Sequence, residues 1–435
     1  MSDAAPSQTV KPTFTEAVRL WLKVGLISFG GPAGQIAILH EELVDRRRWV
    51  SERTFLTALN FCMLLPGPEA QQLATYLGLK LHGLKGALAA GVLFVLPGAG
   101  VLYGLAWLAA AHGDWPPLKA MFQGMLPIVT ALIAHAAWRI GTRTLKSVTA
   151  WVLAGAAFLA LVVFKLPFPL IIGAALVFGL VADRIGLKIA PAGHGDSPLA
   201  PAAPVNWAVA FKRFLLLSCV FVALWAAPVG LAIWLAGTAP FADVASFFTQ
   251  AAFVTFGGAY AVLPFVAQAA VDQYGWLSRA EMVHGLALAE TTPGPLILVT
   301  QYVGFFAGWN ASESGAAGGL GPLAAASVAA AITTWVTFLP CFYFVLAGAP
   351  LIERLSGDRR AHAALSAVTA AVVGVIASLA LLIAREAFLP AANVDWIAGG
   401  AALAAFVAAW RFKVGALWLV AAGAALGLLR MWSGL

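Results

Sequence analysis

The chain has 435 residues, of which 61% are hydrophobic and 10% charged, and its mean hydropathy is +0.89. A soluble domain carries about 25% charged residues, so this composition excludes a surface that faces water all round and places the chain in a lipid bilayer. The formal charge of +7 fits basic residues retained in cytoplasmic loops, and no nucleic-acid partner is expected.

The opening stretch, MSDAAPSQTVKPTFTEA, lacks the basic-then-apolar layout of a cleavable signal, so insertion through the chain's own helices is expected. Apolar segments follow at 14–40, 54–79, 86–111, 119–141, 148–165 and 167–185, then at 212–236, then at 244–268, 281–307, 322–349, 361–385, 394–410 and 413–431. These thirteen segments predict an all-α polytopic membrane protein arranged as six, one and six. The divisions are a first unit at 1–185, a connector with a linking helix at 186–240, and a second unit at 241–435. The Pro- and Ala-rich stretch APAGHGDSPLAPAAPVN (190–206) reads as a flexible connection. Cys62, Cys219 and Cys341 lie in apolar segments without metal-ligand spacing, so they read as packing residues, and neither a metal nor a cofactor is expected.

Inside the first segment, SFGGPAGQ (28–35) sets poor helix formers where a helix is otherwise indicated. The second segment is broken again by LLPGPEAQQLATY (64–76). Both breaks recur. Ser28 and Thr255 stand 227 positions apart, and the same offset pairs Phe29, Gly30, Gly31, Asp45, Trp49, Ser51, Pro66, Gly67 and Pro68 with Phe256, Gly257, Gly258, Asp272, Trp276, Ser278, Pro293, Gly294 and Pro295. Seven segments separate equivalent elements, an odd number, so the second copy is expected to be inverted in the membrane, as in many secondary transporters.

Placing the N-terminus in the cytoplasm puts fifteen Lys and Arg residues in cytoplasmic loops and eight on the opposite side, which supports N-in, C-out. Four of the eight, Arg46, Arg47, Arg48 and Arg53, share the single loop DRRRWVSER. If the first two segments re-enter, folding back at the GG and PGP breaks, that loop becomes cytoplasmic.

A proline removes an amide donor and obstructs the carbonyl four residues earlier. Pro66 and Pro68 are therefore expected to free the carbonyls of Cys62 and Leu64, and Pro293 and Pro295 those of Ala289 and Thr291. Proline suits the first position of a helix, so half-helices are expected to start at Pro68 and Pro295, with unpaired amides and a positive dipole end that attract an anion. The GG pairs Gly30–Gly31 and Gly257–Gly258 offer bare backbone for close approach. The bland alternative is close helix packing at GG and a simple kink at PGP.

Glu69, Gln72 and Tyr76 share one helical face, and Gln71 and Thr75 an adjacent one, while the later half offers Thr291, Thr292, Thr300, Gln301 and Tyr302. Uncharged donors suit an oxyanion that must also leave; interhelical hydrogen bonding is the alternative. Ionisable residues at membrane depth are functional candidates. Lys23 reads as a counter-charge or as a snorkelling side chain. Glu69 and Glu290 are candidates for proton coupling, because a carboxylate beside an anion site repels its ligand only when ionised.

The motifs LKVGLISFGGPAGQIAILHEELVDRRRW (22–49), LLPGPEAQQLATYLGLKLHG (64–83), FVTFGGAYAVLPF (253–265) and LALAETTPGPLILVTQYVGFFAGW (286–309) resemble the chromate ion transporter (CHR) superfamily in its long, two-domain form. The resemblance implies export of chromate across a bacterial inner membrane, with sulfate as a competitor of similar shape. It suggests Lys23, Gly30, Gly31, Pro32, Arg47, Trp49, Pro66, Gly67, Pro68, Glu69, Gln71 and Gln72 as the functional core of the first half. A carrier of sulfate or another oxyanion is the alternative, and a membrane enzyme the lesser one: GHGD (193–196) lacks a partner aspartate within a span, and HEEL (40–43) lacks the second histidine of a zinc protease. No P-loop signature appears, and a homodimer is left open.

Overall fold

A computed structural model describes residues 11–185, 187, 189, 207–351, 359–388 and 395–433, and among them there is no strand. The connector 190–206, with its GHGD motif, and two of the cytoplasmic-loop cations, Lys188 and Arg354, lie outside the described residues. The first half contains α1 (Phe14–Ile27), α2 (Gly31–His40), a π-turn (Glu41–Arg46), α3 (Glu52–Leu64), α4 (Glu69–His112), α5 (Pro116–Thr144), α6 (Val148–Val162) and α7 (Phe168–Arg184). After α8 (Trp207–Ala236) come α9 (Phe241–Val254), α10 (Ala259–Gln268), a second π-turn (Ala269–Gln273), α11 (Arg279–Thr291), a short 3-10 turn (Leu296–Leu298) and α12 (Val299–Glu313). The chain ends with α13 (Pro322–Gly348), α14 (Arg359–Phe388), α15 (Trp396–Arg411) and α16 (Ala416–Ser433).

Six helices, lying within α4, α5, α8, α13, α14 and α16, are long and apolar enough to cross a membrane, which makes the chain a multi-pass membrane protein. The segments 14–40, 54–79, 244–268 and 281–307 are not single helices. Each divides at its Gly or Pro break, and the segment at 54–79 then runs on into α4, which kinks at His82 and Gly83.

The chain folds back at these breaks. Lys23 Nζ lies 2.7 Å from Glu42 Oε1, although a continuous helix would carry the two residues about 28 Å apart. Phe61 and Tyr76, on either side of the PGP turn, have ring centroids 5.9 Å apart. In the second half Phe247 of α9 meets Phe265 at 5.0 Å and Tyr274 at 5.6 Å, and Asn310 of α12 donates to the Trp276 carbonyl at 2.9 Å. The result is four hairpins of half-length helices.

Local signals set their outer ends. Ser51 and Ser278, at matched positions, cap α3 and α11 by accepting from Thr54 N and Glu281 N. The outer start of α1 is capped by Thr13 and Glu16 and touches the kink of α4, where His82 Nε2 lies 3.0 Å from the Pro12 carbonyl. From there α1 follows the second stretch of α4, with Gly25 pressed against the Leu93 carbonyl. The inner end of α1 therefore reaches the middle of α4.

The longer helices wrap this centre by exchange between halves. The α5 helix packs on α15 and α16, and α14 packs on α6 and α7. Small residues allow the close approach: Gly124 faces Gly423 and Gly427, Gly374 faces the Ala154 carbonyl, and Gly179 faces Ala364. By contrast α8 leaves most of its surface uncovered, with Trp234 79% exposed.

Two neighbouring glycines of α4 test this packing. A methyl group on Gly98 would overlap the Pro293 carbonyl, whereas one on Gly100 meets nothing within 4 Å. Gly98→Ala is expected to cost about 1–3 kcal/mol through overpacking, and Gly100→Ala to be neutral or to stabilise by up to about 1 kcal/mol. Thermal unfolding of the two purified variants in detergent checks the contrast.

Candidate functional site

Six glycines at the breaks have positive φ: Gly30 (87°), Gly31 (70°) and Gly67 (124°), and their matched partners Gly257 (78°), Gly258 (92°) and Gly294 (91°). An L side chain is strained in that region, so the glycines are required by the turns themselves. The turns then lock onto one another across the halves. Gly67 N donates to the Thr255 carbonyl at 2.7 Å, and Gly294 N donates to the Ser28 carbonyl at 2.9 Å. Each PGP turn is thus tied to the GG break of the other half, through donors and acceptors at matched positions.

Around this crossover four helices end (α1, α3, α9, α11) and four helical stretches begin (α2, α4, α10 and the 3-10 turn before α12). Each start contributes unpaired amides and a partial positive charge, and each end the reverse. The N-terminus of α4 has Pro68 at its cap and no side-chain capping bond. Two of the carbonyls expected to be freed by the prolines are satisfied nearby: that of Cys62 by Leu65 N at 3.1 Å, and that of Ala289 by the Thr292 hydroxyl at 3.1 Å. The chain leaves α3 with a tighter i to i+3 bond and leaves α11 with a side-chain bond, so these carbonyls do not face the centre empty.

The two carboxylates flank the glycine pairs. Half-buried Glu69 puts Oε1 4.0 Å from where a Gly258 Cβ would stand, and it has no hydrogen-bond partner among the described residues. Glu290, 7% exposed, accepts from the Tyr260 hydroxyl at 2.7 Å, and that hydroxyl lies 3.8 Å from the Cβ position of Gly31.

The amide side chains spend their donors inside the protein. Gln72 Nε2 donates to the Pro66 carbonyl at 2.7 Å, Gln71 Nε2 to Thr75 Oγ1 at 3.1 Å, and Gln301 Nε2 to the Ala99 carbonyl at 3.0 Å. Their Oε1 atoms are buried and unpaired. Thr291 and Thr300 also return their hydroxyls to their own helices, Tyr76 packs on Phe61, and Tyr302 is fully buried beside Phe306. In this arrangement, the donors nearest the crossover are the amides that open the half-helices.

Lys23, Arg47 and Trp49 gather elsewhere, at the outer end of the first hairpin. Glu42, with its side chain 4% exposed, receives Lys23 at 2.7 Å, Arg46 at 3.0 Å and Arg47 at 3.4 Å, and the Arg47 guanidinium lies 5.1 Å over the Trp49 ring. Sequence reasoning missed Glu42, although an apolar-segment lysine followed by three successive arginines signals a need for a buried anion. It also missed Gln35 and Tyr260, whose matched positions hold Val262 and Ala33 and carry no repeat signal. Gln35 Nε2 donates to the Gly294 carbonyl at 2.6 Å and to the Ser28 carbonyl at 3.3 Å.

A family model described as Chromate transporter matches residues 15–180 and 242–428. A chromate transport protein of Pseudomonas aeruginosa is 32% identical over 98% of this chain and 95% of its own length. A probable chromate transport protein of Synechococcus elongatus is 28% identical over 89% of both chains. An uncharacterized transporter of Bacillus subtilis is 33% identical over 161 residues, which are 36% of this chain and 90% of that relative. No solved structure matches the chain.

At the outer end of α2, His40 lies between Asp45 at 3.1 Å and Glu52 at 2.6 Å. Partial burial lowers its basicity, but the two carboxylates outweigh this, and the imidazole titrates above its ordinary value of 6.5. A raised folded-state pKa gives a stabilisation that is complete below about pH 6.5 and fades as pH climbs through the raised value. Hydrogen-exchange protection of residues 41–53, corrected for intrinsic rates, is therefore expected to fall from pH 6 to pH 8. In His40→Leu it is expected to be lower at pH 6 and flat across that range.

Proposed function

The chain belongs to the chromate transporter family, and from that premise we propose that it exports chromate from a bacterial cytoplasm across the inner membrane, with sulfate as a competing anion. It is a transport protein and not an enzyme. The observation that carries the reading is the pair of crossed hydrogen bonds, which assembles four helix N-termini and two carboxylates where the half-helices meet. A tetrahedral dianion fits amides of this kind, because backbone donors at helix starts hold oxyanions without a fixed counter-charge that would retain them.

The arrangement proposed in the membrane is an inverted pair of repeats, each entering with two re-entrant hairpins, one pair from each side. The half-length relative supports treating each half as a unit. Charge supports the orientation: with all four hairpins re-entrant and the N-terminus inside, eighteen loop Lys and Arg residues face the cytoplasm. Five, Lys119, Lys165, Arg279, Arg385 and Arg430, face outward. The Arg46–Arg48 run then lies at the cytoplasmic mouth, where it raises the local concentration of a dianion. A dianion leaving a negative interior gains roughly 4.6 kcal/mol per 100 mV, which is enough to drive export without nucleotide. Glu69 and Glu290 link this movement to protons, since each repels the anion when ionised.

Everted vesicles are expected to accumulate radiolabelled chromate unchanged and to lose it when the membrane potential is collapsed. Accumulation that ignores the potential and any pH gradient would refute a secondary carrier. Glu69→Gln is expected to flatten the pH dependence of uptake; an unaltered profile removes Glu69 from coupling. Pro68→Ala, by extending α3 toward α4, is expected to raise the half-saturating chromate concentration about tenfold, the loss of roughly one charge-assisted hydrogen bond.

A further inference from the structure

The two crossovers have the same backbone geometry but different surroundings. At the Ser28–Gly294 crossover, Gln35 is 2% exposed and bridges two carbonyls, those of Gly294 at 2.6 Å and Ser28 at 3.3 Å. The same Ser28 carbonyl accepts from Gly294 N at 2.9 Å, so a single side chain clamps both strands of this crossover. The residue 227 positions on is Val262, which has no donor. The brace at the Thr255–Gly67 crossover, Gln72 to the Pro66 carbonyl at 2.7 Å, stays within one turn and does not reach the opposite break.

Burial follows the same division. Gly67 and Pro68 are buried like their matches Gly294 and Pro295, but Thr292, 4% exposed, and Pro293 are buried where their matches Leu65 and Pro66 are only half-buried, as is Glu69. The carboxylate of Glu69 has no hydrogen-bond partner among the described residues, while that of Glu290 is held by Tyr260. For an anion to use Gly67 N or Gly294 N, the carbonyl now on that amide must leave. Breaking the first crossover costs one hydrogen bond, whereas breaking the second costs that bond together with the one Gln35 makes to the Gly294 carbonyl.

We propose that Gln35 is the positioning residue that makes the two crossovers unequal, holding the Gly294 turn shut so that the Gly67 turn opens first to admit the anion. Gln35 acts through the Ser28 and Gly294 carbonyls and does not itself contact the anion. Two symmetric turns of equal strength would open at random or together, and opening together would leak. One clamped turn gives the resting transporter a single accessible side. This inference rests on reading the breaks as the gates of a transporter.

The test uses the full-length chain in proteoliposomes, with the native cysteines replaced (Cys62→Ala, Cys219→Ala, Cys341→Ala) and one reporter at a time, Thr292→Cys or its match Leu65→Cys. Labelling by a charged, membrane-impermeant methanethiosulfonate is timed. With Gln35 present, the Leu65→Cys reporter is expected to react faster than Thr292→Cys. Gln35→Met, which keeps the volume and loses the donor, is expected to speed labelling at the Thr292→Cys reporter about tenfold and to leave the Leu65→Cys reporter unchanged. Gln35→His, whose Nε2 can still donate, is expected to return the slow rate. Gln35→Leu is the second donor-free variant should Gln35→Met not reach the membrane. Unchanged labelling at the Thr292→Cys reporter, or an equal rise at both reporters, overturns the assignment, since a general loosening of the fold would move both. A separate arm adds chromate: failure of chromate to slow labelling of the Leu65→Cys reporter counts against the substrate reading and leaves the clamp standing on the labelling rates.

Discussion

The two crossed backbone bonds, Gly67 N to Thr255 O and Gly294 N to Ser28 O, are the constraint on which the rest of this structure depends. Within hydrocarbon a broken helix survives only where protein or a polar cavity satisfies the interrupted backbone. Here each break satisfies one group of another, and it does so across the halves, so neither half completes its own turns. The glycines at 67 and 294 are needed because their amides point outward from a positive-φ turn. The prolines on either side stop the helix from closing over those amides.

From this crossover follows the packing outside it. Half-length helices cannot bury their inner ends alone, so α4 and α13 run beside them as full spans, and Gly98 lets α4 approach the second PGP turn. The same exchange is repeated further out, where α5 and α14 each pack on the last hairpin of the other half. The halves are chemically unlike despite this shared plan. The first hairpin ends in Glu42 with three cations, while the matched region of the second ends in Tyr274 stacked on Trp276 at 4.3 Å and 7°. The first hairpin thus ends in a cluster of paired charges and the second in stacked aromatic rings.

Much of this was legible in the sequence because the repeat keeps one offset without a gap from the GG break to the PGP turn. That offset marked the glycines that prove to share positive φ and the serines that cap α3 and α11. Segment counting was less informative. A hydropathy window cannot distinguish one span from two antiparallel half-spans, so 14–40 read as one segment although α1 and α2 fold back on each other. Contacts made once were not legible at all: Gln35 and Tyr260 have no repeat partner, and they reach Gly294 and Glu290, which are 259 and 30 positions away. The glutamines at 71, 72 and 301 read as donors by type, yet the fold spends their donors on a protein hydroxyl and two protein carbonyls.

The central claim is that the anion rests where the four breaks meet. It is tested most directly by locating bound chromate in crystals of the transporter through anomalous scattering at the chromium edge. The account expects one peak within about 3–4 Å of the amide nitrogens of Ala33, Glu69, Ala259 or Leu296, with at least one crossover bond opened. A peak confined to the basic loop at Arg46–Arg53, with both crossovers intact and the centre dry, would contradict it.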